Sequence, residues 1–402
     1  MPDRTIQRLF LSCRSALEAS PQPLKNRQAI AAITQCRTPD MGVTHYGCPE
    51  GHGQWEHSHS CRHRSCCLCA DKRRLEWIEA QKQRLLDVPH FHVIFTLPHE
   101  YLPLWRYNEA LFARLLFKAS QESLQELLAD KKYGAIHPGI LMTLHTWGRQ
   151  LNLHPHTHCL VTAGGIQSSG TWRELGEYLL PSAVLRRYYR GKVQALLREA
   201  ALDQSLTWPP DMREQTFWQQ HRSLYRKEWS VRIEERYSHG KGVMLYLARY
   251  CKGGPLRPEQ IRGGDSKRLE VSYLDHRDKR IKYQQLTPWQ LIQRLLLHVP
   301  AQGVHTVRYY GLYAPAAKRR YQQVLTCYGN LTKLNARNLV PPERVLLHCS
   351  TCGAHAMVVG RRWRRTAKGN SYIKKPARIG ACGYVQQGVE RDLERESPAD
   401  SS

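Results

Sequence analysis

The chain lacks long apolar runs, and its first residues are not expected to act as a hydrophobic leader. Hydrophobic residues make up 41% of its 402 residues, yet no run approaches the roughly 18 apolar residues of a membrane-spanning helix. The first residues, Met-Pro-Asp-Arg-Thr-Ile-Gln-Arg, form no secretory signal segment. Internal repeats and low-complexity tracts are also missing. These absences favour a soluble intracellular protein, large enough for two or three domains.

Acidic residues are scarce relative to basic ones. There are 34 Asp and Glu against 60 Lys and Arg, which gives a net charge of +26. Such an excess predicts a polyanionic partner. The 10 Trp and 20 Tyr favour nucleic acid over a membrane surface as that partner.

The chain has 13 cysteines, an odd number, and several of them cluster between Cys48 and Cys69. Without a secretion signal, such a cluster predicts metal binding before disulfides. The pairs Cys48-x3-His52 and Cys66-x2-Cys69 predict one closed, tetrahedral, structural Zn²⁺ site. A module this small has little hydrophobic core, so zinc binding would supply much of its folding free energy. Loss of the zinc ion should therefore unfold the module.

Some zinc ligands stay open at this point. Cys61, His59 or His63 could replace His52 as the fourth ligand. Near the C-terminus, Cys349-x2-Cys352 indicates a further zinc knuckle, for which His348, His355 and Cys382 are the remaining candidate ligands. Basic residues around the first cluster predict either DNA contacts or a solvated face: Arg62, Arg64, Lys72, Arg73 and Arg74.

A second kind of metal site is indicated by the sequence His-Pro-His-Thr-His at 154–158. His156 and His158 lie two apart in a β-like run, so their imidazoles share one face. Three protein ligands or fewer would leave coordination positions open for a phosphate. We prefer His145 on the preceding strand as third ligand, with His92 and a polar residue after the tyrosine helix as rivals. Because Pro155 cannot donate to a sheet ladder, we expect the strand to start at or after it and His154 to stay off this face.

Two tyrosines follow in a helix-like run. Tyr246 and Tyr250 are four residues apart, so they share a helix face. A divalent metal beside two phenols is what cutting a phosphodiester through a covalent protein link requires. Arg249 and Lys252 could help a phenol ionise or could contact phosphates.

Several motifs occur in a fixed order: Ser60–Cys69, the segment from His137-Pro-Gly to His145-Thr-Trp-Gly, Leu153–His158, Tyr246–Tyr250 and Val307–Leu312. From about residue 25 to about residue 355, the chain strongly resembles the two-tyrosine HUH transposases of rolling-circle insertion sequences. One departure is Thr157, where that family usually has an aliphatic residue. Threonine is β-branched and suits a strand.

The resemblance implies an α+β fold: an HUH-type antiparallel sheet flanked by helices, an N-terminal zinc-finger module and a helical insertion. It also implies a transposase that nicks and rejoins single-stranded DNA through a 5′-phosphotyrosine on Tyr246 or Tyr250. Mg²⁺ or Mn²⁺ would serve the catalytic site, and structural Zn²⁺ the N-terminal module. The expected partners are transposon ends and target DNA, with no membrane, in a bacterial cytoplasm and associated with the nucleoid.

Two alternatives remain. One is a plasmid or phage replication initiator, or a relaxase, with the same chemistry; the other is a non-catalytic zinc-dependent DNA-binding protein. The Cys48–Cys69 module and the Arg308–Gly311 segment favour the transposase over the former. All of His156, His158 and the two tyrosines are present, which disfavours the latter.

The expected organisation has four parts. Residues 1–86 form a helical and zinc-binding module, and 87–260 form the HUH domain with an insertion at about 165–235. Residues 261–358 form a C-terminal DNA-associated region, and 359–402 a basic then acidic tail that is partly disordered. Strands are expected at 90–97, 140–147 and 156–162.

Overall fold

The structure, a computed structural model, describes residues 3–82, 84–238, 254–263, 267–275, 278–327, 347–363 and 372–374. The chain forms two compact units. The first unit comprises Met1–Thr34 and Arg62–Val340, and the second comprises Gln35–Cys61 and Pro341–Ser402. This division differs from the expected organisation, because Gln35–Cys61 and Pro341–Ser402 build the second unit together while Met1–Thr34 belongs to the first.

The first unit contains all of the described α-helices apart from the last residue of the third. They are α1 (Thr5–Ser12), α2 (Arg14–Ala19), α3 (Leu24–Gln35), α4 (Cys67–Lys82), α5 (Leu102–Tyr107), α6 (Glu109–Ala129), α7 (Ser182–Leu202), α8 (Glu214–Arg226), α9 (Pro288–Leu297) and α10 (Lys318–Cys327). Helix α9 shows how the sequence sets a boundary. Thr287 Oγ1 accepts from the backbone N–H of Gln290 at 3.1 Å, and Gln290 Oε1 accepts from that of Thr287 at 3.0 Å. None of the described helices is long and apolar enough to cross a membrane.

The strands of the described residues form three sheets. In chain order they are β1 (Gly42–Gly47), β2 (Gln54–Ser58), β3 (His90–Thr96), β4 (His137–Trp147), β5 (Leu153–Ile166), β6 (Trp172–Glu174), β7 (Val231–Tyr237), β8 (Ile261–Arg262), β9 (Leu269–Leu274), β10 (Ile281–Leu286), β11 (Val307–Gly311), β12 (Met357–Trp363) and β13 (Tyr372–Lys374). The largest sheet, in the first unit, has the order β11-β4-β5-β3-β7, with β6 paired to β5. All of its pairings are antiparallel. The expected α+β class with antiparallel sheets flanked by helices is confirmed.

One face of this sheet packs on the main hydrophobic core. Alternate residues of β3, β4 and β5 enter that core, among them Val93, Met142 and Val161. They meet the apolar faces of α6 and α7, which supply residues such as Leu124 and Leu197. The period-2 alternation of the strands therefore leaves the other set of side chains on the opposite face.

The expected helical insertion is only partly helical. It contains α7 and α8, but strand β6 pairs with β5 and strand β7 pairs with β3. Strand β11, which lies in the expected C-terminal region, pairs with β4 along Val307–Gly311. The large sheet therefore includes β6, β7 and β11, three strands that were not among those predicted from the sequence.

The second unit contains a four-stranded sheet of order β13-β12-β1-β2. Strand β12 runs antiparallel to β1, from Gly42 opposite Trp363 to Gly47 opposite Met357. Strands β12 and β13 belong to the end of the chain, where the sequence analysis expected a tail from residue 359. Regular backbone pairing with β1 explains why part of that tail is ordered.

Candidate active site

Three histidines meet on the face of the large sheet that points away from the main core. In the β4–β5 register His145 lies opposite His156, and Thr143 lies opposite His158. Residues two apart on a strand share a face, so the three imidazoles converge. One ring nitrogen from each lies within 4.8 Å of the others.

Strand β5 begins earlier than expected. It starts at Leu153, two residues ahead of Pro155, and the β4–β5 register shifts between His145 and Trp147. Proline is tolerated in a sheet at such a bulge, because the ladder is interrupted there. The expectation that the strand starts at or after Pro155 is therefore wrong. The ring of His154 lies beside that of His156, with centroids 5.1 Å apart.

The protonation of His156 is fixed by its surroundings. Its Nδ1 lies 2.6 Å from the carbonyl oxygen of His154. Because a carbonyl only accepts, this ring nitrogen carries the proton and donates it. The lone pair is then on Nε2, which lies 3.0 Å from His158 Nε2. This is the tautomer that a metal ligand needs, with its other nitrogen held by a backbone carbonyl.

His92, the rival third ligand, contacts the back of His158. Its Nε2 lies 2.8 Å from His158 Nδ1, and the two rings stack with centroids 5.1 Å apart. The group within 4.8 Å contains His145 and not His92. His92 is therefore placed to orient His158, while the ring of His145 stacks on Trp147 at 4.3 Å.

Burial keeps these imidazoles neutral. It lowers the pKa of His156 and of His158 well below the ordinary value, and the positive charge that His145 can carry lowers both further. Burial likewise lowers the pKa of His92 to about 3. A neutral imidazole offers the lone pair that a metal ion binds.

The donor set fits a divalent cation with open positions. At a metal–nitrogen distance of about 2.1 Å, two adjacent octahedral ligands stand about 3.0 Å apart. The two Nε2 atoms of His156 and His158 have that spacing. Three imidazoles leave further coordination positions to other ligands, as a catalytic ion requires. The tyrosines Tyr246 and Tyr250, with Arg249 and Lys252, lie outside the described residues.

Thr157, the residue at which the chain departs from the family pattern, points to the core face of the sheet, opposite the histidines. Thr157 is fully buried on the core side, and its Oγ1 lies 2.9 Å from Oγ of the buried Ser120 on α6. A buried hydroxyl costs little when it is paired. Ser120 therefore explains how this strand accommodates a polar residue there.

Strand β11 and the turn after it pack closely against β4 at the edge of the sheet. Gly311 has φ +57°, and a Cβ there would lie 1.8 Å from the carbonyl oxygen of Pro138. A Cβ on Gly139 would meet the ring of Tyr313 at 2.9 Å. Tyr313 in turn bonds His90 Nε2 at 2.8 Å through its hydroxyl. The two glycines thus permit close packing of β11 and its following turn on β4.

Known proteins match most of this chain. A family model described as "Putative transposase" matches residues 139–321, and one described as "Transposase zinc-binding domain" matches residues 9–97. The transposase for insertion sequence element IS801 of Pseudomonas savastanoi pv. phaseolicola is 31% identical over 296 residues, which are 71% of this chain and 70% of that protein. The "Putative transposase y4qJ" of Sinorhizobium fredii (strain NBRC 101917 / NGR234) is 32% identical over 293 residues, 71% of this chain and 73% of that one.

The chain belongs to the family of insertion-sequence transposases that includes the IS801 transposase. The resemblance drawn from the ordered motifs is thereby confirmed. No solved structure matches the chain. As a transposase, it acts on DNA, and the zinc-binding domain that residues 9–97 match supports structural Zn²⁺ in this part of the chain.

The predicted zinc ligands of this transposase fall into both units. In the second unit, Cys48 and His52 group with Cys349 and Cys352, with one ligand atom of each within 4.8 Å of the others. Cys66 and Cys69 lie in the first unit, at the beginning of α4. The grouping of Cys48 and His52 therefore differs from the predicted one, which joined them with Cys66 and Cys69.

Cys36 is a further candidate zinc ligand that was not predicted from the sequence. In the second unit its Sγ accepts from the backbone N–H of Cys61 at 3.4 Å. Both cysteines lie within residues 9–97, which match the zinc-binding domain. Cys36 follows a helix rather than standing in a Cys-x2-Cys pair, so the spacing gave no signal for it.

Some predicted DNA-binding arginines also have structural partners in the first unit. Arg64 donates to the carbonyl oxygen of Val304 at 2.7 Å, and Arg73 to that of Arg62 at 2.5 Å. Arg62 and Arg64 are exposed, whereas Arg73 and Arg74 are half-buried. DNA contact through these residues stays a prediction.

Proposed function

We propose that this transposase nicks and rejoins single-stranded DNA through a covalent 5′-phosphotyrosine link, as rolling-circle transposition requires. The observation that carries the proposal is the group of His145, His156 and His158 on one face of the antiparallel sheet. The transposase match, residues 139–321, covers these histidines and also Tyr246 and Tyr250. One chain segment therefore holds both a candidate metal site and two candidate nucleophiles.

The three histidines would hold the catalytic cation, Mg²⁺ or Mn²⁺. When bound there, such an ion polarises a non-bridging oxygen of the scissile phosphate and offsets the negative charge of the transition state. Imidazole ligands favour Mn²⁺ over Mg²⁺ as the tighter-bound of the two. The backbone carbonyl of His154 and the ring of His92 support this set, since they contact Nδ1 of His156 and Nδ1 of His158, respectively.

The tyrosines supply the nucleophile. The phenolate oxygen of one tyrosine attacks phosphorus, the bond from phosphorus to the 3′ oxygen breaks, and that oxygen leaves with a proton as a 3′-hydroxyl. The phenol must first lose its proton, and with an ordinary pKa of about 10 it needs a nearby positive charge. Arg249 and Lys252 are the candidates in sequence. Because the phosphotyrosine keeps the energy of the diester, rejoining to another 3′-hydroxyl needs no ATP.

Two tyrosines extend this chemistry from one cut to two. In the helix predicted from the sequence, their spacing of four residues would place both on one face. One can then hold the first strand while the other opens the second, which a rolling-circle transfer demands. A single nucleophile would have to release the first strand before it could cut again.

The test is a covalent adduct. The full-length protein is incubated with Mn²⁺ and a labelled single-stranded oligonucleotide from a cognate element end, and the adduct is resolved on a denaturing gel and mapped by mass spectrometry. We expect the wild type to form it on Tyr246 or Tyr250. The double variant Tyr246→Phe/Tyr250→Phe should form none and should bind the oligonucleotide as tightly as the wild type.

Tyr178→Phe is the matched control, because Tyr178 is an exposed tyrosine that belongs to none of the described strands. It should form the adduct at the wild-type rate. An adduct that persists in the double variant would contradict the proposal. DNA binding with no adduct from the wild type would instead favour the non-catalytic zinc-dependent DNA-binding protein.

A further inference from the structure

The antiparallel pairing of β1 with β12 brings two turns of the second unit together. Strand β1 ends at Gly47, opposite Met357, where β12 begins. The turn that follows β1 carries Cys48 and His52, and the segment that precedes β12 carries Cys349 and Cys352. The same end of the sheet therefore receives two ligand pairs, although Cys48 and Cys352 are 304 residues apart in sequence.

Each turn is a tight one built on glycine. The N–H of Cys48 donates to the carbonyl oxygen of Gly53, and that of Gly51 donates to Cys48, at 3.0 and 3.1 Å. Gly51 and Gly53 both have positive φ. In the other turn, Gly353 has φ +72° and donates to the carbonyl oxygen of Cys349 at 2.9 Å. Glycine adopts this conformation without steric cost, which lets each turn present its side chains at one point.

The distances match a tetrahedral zinc site. Cys48 Sγ lies 3.5 Å from His52 Nδ1 and 3.5 Å from Cys352 Sγ. With Zn–S at about 2.3 Å, two ligands of a tetrahedron stand about 3.8 Å apart, and a sulfur and a nitrogen slightly less. The thiols are unlinked, since a disulfide would bring the sulfurs to about 2.05 Å. Three thiolates and one imidazole form a closed set of the structural kind.

The neighbouring histidine of the second turn has another role. His348 Nδ1 lies 2.9 Å from the carbonyl oxygen of Gly353, so its ring supports the turn. Its own strand bridge is to His355, whose ring packs against it at 4.4 Å. This leaves Cys349 and Cys352 as the ligands from that segment.

We propose that Cys48, His52, Cys349 and Cys352 bind one structural Zn²⁺ that joins the two chain segments of the second unit. The matched zinc-binding domain, residues 9–97, contains only half of this ligand set. The other half, Cys349 and Cys352, lies outside the residues that match this domain. Because a four-stranded sheet has a small core, the ion would contribute directly to the stability of this unit.

Zinc stoichiometry of the full-length protein tests the proposal. Zinc is counted per chain by inductively coupled plasma mass spectrometry in Cys48→Ser, in Cys352→Ser and in the double variant. We expect each single variant to lose one equivalent and the double variant to lose no more than one. Cys327→Ser, at an exposed cysteine on α10, should keep the wild-type count. A full zinc count in Cys352→Ser, or a loss of two equivalents in the double variant, would overturn the shared site.

A second combination separates this set from the one predicted by spacing. If Cys66 and Cys69 serve a different ion, Cys66→Ser/Cys352→Ser loses two equivalents. If Cys48, His52, Cys66 and Cys69 shared one ion, Cys48→Ser/Cys66→Ser would lose only one and Cys352→Ser none. That pattern would refute the proposal.

A ligand exchange covers the case in which a serine variant fails to fold. In His52→Cys the site keeps four ligands. After replacement of zinc by Co²⁺, the sulfur-to-cobalt charge-transfer absorption should rise by the intensity of one additional thiolate. An unchanged spectrum would exclude His52 from the site. None of these readouts involves DNA cleavage, so they test the zinc site independently of the proposed phosphotyrosine chemistry.

Discussion

The two faces of the large sheet serve different purposes although they alternate residue by residue. Along β5, Thr157, Cys159 and Val161 point into the core under α6 and α7. Their neighbours His156 and His158 point to the opposite face, where they meet His145. A strand one residue out of register would exchange the two sets. The core face thus fixes where the imidazoles lie, and those imidazoles give the other face its candidate metal ligands.

The largest effect is expected from the histidine face. Replacing His158 by alanine should slow oligonucleotide cleavage by roughly 100-fold or more, because it removes a ligand of an ion that acts on the reacting phosphate. Single-turnover rates with Mn²⁺ and binding affinities without it measure the two steps separately. Binding should stay close to the wild-type value.

His154→Ala is the neighbouring control, since His154 is not in the group of converging ligand atoms. It should reduce cleavage much less than His158→Ala. His145→Ala that cleaves at the wild-type rate would remove His145 from the ligand set and transfer its role to His92.

Metal removal should also distinguish open from closed sites. Brief treatment with EDTA should abolish cleavage, and Mn²⁺ alone should restore it, because three imidazoles with open positions release an ion readily. Four-ligand zinc sites should keep their ions under the same treatment, as judged by the zinc count. Cleavage that resists EDTA would argue against a catalytic ion on this face.

The free energy of unfolding should depend on pH because of buried histidines on the histidine face of the sheet, such as His90. Burial lowers the pKa of His90 to about 4, so the unfolded chain binds a proton between that value and about 6.5 that the folded chain does not. The free energy of unfolding should therefore fall as pH decreases through this window and stay level above it. The slope is at most about 1.4 kcal/mol per pH unit for each such histidine. Urea unfolding of EDTA-treated protein at pH 7 and pH 5 measures it.

His90→Gln should flatten that dependence, because glutamine does not titrate. A pH dependence identical to that of the wild type would show that His90 is not among the groups responsible.

The smallest effect on cleavage is expected from the core face. Thr157→Val leaves the hydroxyl of Ser120 without its partner, at a cost of about 1–3 kcal/mol in unfolding free energy. Adding Ser120→Ala should recover most of that loss, since both polar groups are then gone. Cleavage should remain near the wild-type rate in folded protein. Additive losses in the double variant would show that the two hydroxyls do not interact.

Local patterns were sufficient to predict much of the histidine site. The spacing of His156 and His158 gave their common face, and the adjacent strand gave His145. The error at Pro155 arose because a general restriction on proline was applied without the bulge that relaxes it. The partner of Thr157 could not be predicted, since nothing in β5 indicates which helix residue will lie beneath it.

Long-range pairing was the main limit. Nothing near Cys48 in sequence indicates that β1 will pair with a strand that begins at Met357. The knuckle at Cys349 was recognised by its own spacing, but its partners were sought nearby. Strands β6 and β7 were missed for a similar reason, because they flank helices in a segment whose charge suggested an insertion.

The pairing of β1 with β12 has a consequence for synthesis. At about 5–20 residues per second, a ribosome needs about 15–60 s to proceed from the end of β1 to the beginning of β12. During that interval β1 has β2 on one side and an unpaired edge on the other. The second unit can complete its sheet only after β12 has been synthesised. A chain that stops before Met357 would keep that open edge permanently, and an open edge is a site where a strand of another chain can pair.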